Sequence, residues 1–91
     1  NFPMKSAYEI AMSRLEATEP TVKLTDAQKA EIAEIDNLYE AKIAERRVFL
    51  ESQIATADPP EKEELRRQLA SEVKRLEEER EEKKERVRRA R

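Results

Sequence analysis

Apolar residues in this chain return at intervals of eleven. Residues 30–40 read AEIAEIDNLYE, residues 41–51 read AKIAERRVFLE, and residues 52–55 begin again as SQIA. Ile32, Ile43 and Ile54 stand in phase, as do Ala33, Ala44 and Ala55, Leu38 and Phe49, and Tyr39 and Leu50. Leu65, Leu76 and Val87 keep the same interval later in the chain. A seven-residue repeat fits less well, because steps of seven from Ile32 reach Arg46 and Gln53, and steps from Leu65 reach Glu72 and Glu79. Eleven residues in three turns is about 3.67 per turn, close to a relaxed helix, so the pattern predicts straight or slightly right-handed helices.

Proline sets the lengths of these helices. A first helix is expected over residues 5–18, with Ser6 and Glu9 as a capping box and Glu19-Pro20 as its stop. A second is expected over residues 26–56, opened by Thr25 with Gln28 as its box partner and Asp26 in the favoured first turn. Asp58-Pro59-Pro60 breaks the chain again, and a third helix is expected over residues 60–90, with Asp58 as N-cap. The connection between the two long helices is short, and short connections make antiparallel neighbours. The fold class expected is therefore all-α: a long antiparallel helical hairpin, hendecad-patterned and coiled-coil-like, with a short N-terminal helix. Asn1, Phe2 and Pro3 precede Met4 and read as an expression scar, which leaves residues 4–91 as a single helical domain.

Composition narrows the function. The chain of 91 residues has no His, Cys, Gly or Trp. Without Cys it has no disulfide framework or thiol nucleophile, without His no imidazole base, and without Gly no P-loop or dinucleotide fingerprint. No run of about 18 apolar residues and no signal-peptide core is present, so a cytoplasmic protein is expected. Charged residues make up 44% of the chain, which in other contexts means disorder; the regular apolar spacing argues against that up to about residue 76. Glu31, Glu34, Asp36, Glu40, Glu45 and Glu51 are the abundant chemical groups of the second helix, and they read as a solvated face. No catalytic residue, metal ligand or cofactor is expected.

The two long helices differ in their apolar width. The third has a narrow seam of Leu65, Leu69, Val73 and Leu76. The second has Ile32, Ile35, Tyr39, Ile43, Leu50 and Ile54 on its main seam, and Leu38 and Phe49 roughly 100–130° round the helix from it. That second strip needs another surface, either the first helix through Tyr8, Ala11, Met12 and Leu15, or a second copy of the chain. Arg46, Arg80 and Lys84 fall on seam positions and are expected to snorkel, with Arg80 near Ile35 and Glu34. Tyr39 and Tyr8 are expected as core rings with wet hydroxyls.

Lys83 to Arg91 is the sharpest charge feature, with six basic residues and one acidic one in nine. Lys84, Arg88 and Arg91 share a side and are candidate contacts for a phosphate backbone. The competing reading is structural: basic residues suit a helix C-terminus. Residues 1–58 carry 7 basic and 11 acidic groups, and residues 59–91 carry 12 and 10, so the arms have opposite signs and suit pairing. The pairs Glu79–Lys83, Glu82–Arg86 and Glu85–Arg89 are expected one turn apart along the exposed helix.

The segment Met4 to Leu15, followed by Leu24-Thr25-Asp26-Ala27-Gln28-Lys29, resembles small uncharacterised bacterial proteins of helical, coiled-coil-like type. The resemblance brings no activity, cofactor or binding residue with it. The function expected is a non-enzymatic interaction or scaffold module that forms a homo-oligomer, most simply a homodimer, through Leu38, Phe49, Tyr8, Met12 and Leu15. The alternative is an accessory nucleic-acid-binding protein using the basic C-terminal helix end. No membrane partner is expected.

Overall fold

The computed structural model describes residues 7–10 and 23–90. Two helices of 31 residues dominate it, α1 over Asp26–Thr56 and α2 over Pro59–Arg89. Each is about 46 Å long at 1.5 Å per residue. They pack against each other, and no strand occurs among the described residues. The arms run antiparallel: Gln28 meets Val87 and Ala90, Tyr39 meets Glu79, and Arg46 meets Glu72. Residues 7–10 are helical and exposed. The rest of the expected first helix, including Ala11, Met12 and Leu15, lies outside the described residues, as do Asn1, Phe2 and Pro3.

The start of α1 is built as its sequence implies. The Gln28 backbone N–H donates to Thr25 Oγ1 at 3.0 Å, and the Thr25 N–H donates to Gln28 Oε1 at 2.9 Å. The box thus satisfies two donors that the first helical turn cannot pair internally. The amide nitrogen of Gln28 does something the sequence did not announce. It donates to the carbonyls of Val87 at 3.0 Å and Ala90 at 2.6 Å, at the end of α2. One glutamine therefore caps the N-terminus of one arm and the C-terminus of the other.

The turn is tighter than expected. Ala57 and Asp58 are both extended, and α2 begins at Pro59, one residue before the expected start, and ends at Arg89 rather than residue 90. Pro59 enters the helix because its fixed φ suits the first helical position and its missing N–H would have had no partner there. Asp58 is the N-cap residue, but its side chain makes no capping bond. Pro60 at the second helical position removes one of the two donors that such a cap serves.

The core is a single seam between the arms. Leu50, Leu69 and Val73 form its centre, with Ile43, Ile54 and Leu65 packed around them. Tyr39, Leu76 and Val87 extend it toward the open end. Exposure repeats with the sequence. Tyr39 and Leu50 are 0% and 1% exposed, while Leu38 and Phe49 are 49% and 50% exposed. Residues eleven apart thus share a face, as three turns of nearly unstrained helix require.

The caps and the seam should respond differently to truncation. Thr25→Ala should lower stability by about 1 kcal/mol, whereas Asp58→Ala should change it by clearly less, since no side-chain bond is lost; urea midpoints measured side by side would separate them. In the same titrations Leu50→Ala should cost about 2–5 kcal/mol through the cavity it leaves in the centre of the seam.

Candidate functional site

The site is the outward side of α1. This helix gives one face to α2 and keeps apolar residues on the opposite one. Ala33, Ala41, Ala44 and Ala55 are exposed there with Val48, which is 71% exposed, and Leu38 and Phe49 stand about half exposed at its flank. Helix α2 has no such second face: its large apolar residues Leu65, Leu69, Val73, Leu76 and Val87 all turn toward the seam, and its remaining surface is charged. The difference follows from composition, since alanine and valine fill the positions in α1 where α2 places glutamate, lysine and arginine.

Two shallow grooves flank Ala44. One is lined by Glu45, Arg46, Val48, Phe49 and Ser52, the other by Asp36, Glu40, Ile43, Arg47 and Arg80. The first is the more apolar. Its wall is braced by Arg46, whose Nε donates to Glu72 at 3.0 Å and whose second nitrogen donates at 3.2 Å. The same guanidinium lies 5.1 Å from the centre of the Phe49 ring. A bidentate pair fixes the plane of the guanidinium, and a fixed plane presents a fixed surface to the ring. The Arg46 hydrogen bond holds the Glu72 carboxyl below its ordinary pKa, against partial burial that works in the other direction.

The two helices use their charges differently. Along α2, Arg75 pairs with Glu79 at 2.8 Å, Arg86 with Glu82 at 2.7 Å, and Arg88 and Arg89 with Glu85 at 3.2 Å each. Between the arms, Lys84 reaches Asp36 at 2.9 Å and Arg46 reaches Glu72. Arg80 approaches Asp36 at 4.0 Å rather than the expected Glu34, since the Tyr39–Glu79 and Arg46–Glu72 contacts set position 80 level with residue 38 and Asp36 is the nearer acid. In the middle of α1, by contrast, Glu40, Glu45 and Arg47 have no ion-pair partner among the described residues.

The structure separates the residues expected to carry function. Leu38 and Phe49 lie on the exposed flank. Tyr8, expected as a core ring, is 73% exposed, since none of the described residues packs over it. Met12 and Leu15 lie outside the described residues. Of the phosphate-contact candidates, Lys84 is only 15% exposed and tied to Asp36 and Glu81, Arg88 is tied to Glu85, and Arg91 lies outside the described residues. The basic run is thus neutralised largely by carboxylates one turn away on its own helix, and only Lys84 within it reaches across to an acid of α1. The expected Glu79–Lys83 pair gives way to others: Glu79 takes Arg75 and the Tyr39 hydroxyl, and the Lys83 ammonium lies 5.2 Å from the centre of the Tyr39 ring. Hydrogen bonding to Tyr39 raises the Lys83 pKa. Lys42 covers the same ring at 4.9 Å. Arg46, Arg80 and Lys84, expected to snorkel, have side chains only 36%, 29% and 15% exposed. Arg80 Nε is buried, and Arg46 and Lys84 turn their charges to carboxylates rather than to water.

Val48 was missed by sequence reasoning. Its counterpart one repeat earlier is Asn37, so the eleven-residue pattern did not mark the position. Among the described residues no group of three carboxylates is placed to hold a metal ion, and no helix is long and apolar enough to cross a membrane. No family model, curated protein or solved structure matches the chain.

The Arg46–Glu72 pair makes a pH-dependent prediction. A carboxyl with a depressed pKa stabilises the fold above its unfolded-state pKa, and that contribution is lost as pH falls through the folded value. Glu72→Gln should therefore lower the melting temperature at pH 7, and the gap to the wild type should narrow steadily on titration toward pH 3.

Proposed function

We propose that the protein is a non-enzymatic helical module that self-associates, most simply as a homodimer, through the outward flank of α1, and that it serves as a scaffold or assembly element. One observation carries this reading. Leu38 and Phe49 are about half exposed, and Val48 more so, on a helix whose other face is already filled by α2. Isolated exposed apolar residues are ordinary, but a strip of them set among alanines on one helix face is what an interaction surface looks like.

The energetics point the same way. A two-helix hairpin has one narrow seam, and burial of about 25 cal/mol per Å² there must offset roughly 1.5 kcal/mol of ordering per residue. Further apolar area covered by a partner improves that balance. Alanine suits such a contact, because it lets helix backbones approach closely and loses no side-chain entropy on burial.

Size exclusion with light scattering at tens of micromolar should give twice the chain mass for the wild type. Leu38→Asp combined with Phe49→Asp should give the monomer mass, with helical circular dichroism retained, because both side chains lie outside the seam between the arms. A wild type that runs as a compact monomer refutes the proposal.

A further inference from the structure

Resting on that reading, we infer that the partner of α1 is α1 of a second copy, laid antiparallel across a two-fold axis near Ile43 and Ala44. The argument is one of charge and shape symmetry along the exposed strip. Three charged groups in the middle of α1, Glu40, Glu45 and Arg47, have no ion-pair partner among the described residues, and Lys42 touches only the face of the Tyr39 ring. Helical periodicity sets Glu40 and Arg47 along one edge of the strip and Lys42 and Glu45 along the other. The grooves agree, since Glu40 and Arg47 line one and Glu45 lines the other.

An antiparallel copy reverses the numbering about the axis. Glu40 then faces Arg47 of the second copy, and Lys42 faces Glu45, both about a midpoint between residues 43 and 44. Leu38 faces Phe49 about the same midpoint, at the mouth of the groove formed by Glu45, Val48 and Ser52. The small residues of the strip pair about a point only one residue away, Ala41 with Ala44 and Asn37 with Val48. A parallel copy would exchange the two edges, so Leu38 and Phe49 would face the Glu40 and Arg47 edge of the second copy instead of each other. Large apolar side chains set against charged groups in this way lose the burial that Leu38 and Phe49 give each other, and the parallel arrangement is disfavoured. The opposite signs of residues 40 and 47 are what make the strip complementary to itself, as an isologous interface must be.

Two single-charge variants test this. Glu40→Lys and Arg47→Glu each turn the two symmetry-related 40–47 pairs repulsive, and each alone should weaken self-association by about tenfold or more in sedimentation equilibrium. Mixed in equal amounts they should associate again. The lysine introduced at position 40 of one chain then faces the glutamate introduced at position 47 of the other, and the native pair of Arg47 with Glu40 re-forms at the opposite end. The absence of cysteine from the chain allows a second, geometric readout. Ala44→Cys should be joined to its copy by a short bismaleimide, whereas Ala30→Cys should not, since antiparallel packing places the two residues 30 about 40 Å apart. A wild type that is monomeric overturns both the self-association and this register. A wild-type dimer whose charge variants fail to recover on mixing, or whose Ala30→Cys form crosslinks as readily as Ala44→Cys, overturns the antiparallel register and leaves self-association standing.

Discussion

Burial of one apolar stripe against another, over the full length of two straight helices, is the contact on which the molecule depends. Tyr39 and Leu50 are nearly inaccessible from the α1 side, and Leu69, Val73, Leu76 and Val87 answer them from α2. A straight helix can sustain such a contact for about 46 Å only if its apolar residues return with its own pitch, and an interval of eleven does this. The remaining features trim the ends of that seam. Thr25 and Gln28 close its open end, and two prolines hold its turn.

The arms are unequal partners. Helix α2 has a single apolar stripe and satisfies many of its charges one turn away on its own surface. Helix α1 is apolar on opposite sides and leaves central charges unpaired among the described residues. A helix of the first kind is complete once it has one neighbour. A helix of the second kind asks for two. The proposed role as an assembly element comes from this inequality rather than from any single residue, and the sign pattern of Glu40, Lys42, Glu45 and Arg47 gives the second neighbour an identity.

Much of the fold was legible in the residues. The bounds of α1, the capping box and the antiparallel hairpin all follow from local rules about hydroxyl caps, proline and short turns. The seam residues were legible because their spacing repeats. Other features were less so. Asp58 sits at the N-cap, but its side chain makes no capping bond, and Pro60 takes away one of the donors it would use. Glu79 chose Arg75 over Lys83 because Tyr39 of the opposite arm occupies the space beside Lys83, which a reading confined to one helix does not see. Val48 escaped notice for a related reason: a periodic pattern hides a residue whose counterpart is polar.

Sequence alone decided which faces are apolar and where α1 starts and stops, because these depend on neighbours a turn or less away. Tertiary structure decided how the arms are set against each other, and therefore which long-range partners meet. The register brings Gln28 to the carbonyls of Val87 and Ala90, Lys84 to Asp36, and Arg46 to both Glu72 and Phe49. Such contacts depend on where the chain turns, and shifting that turn by one residue would slide every cross-arm pair while leaving each helix unchanged.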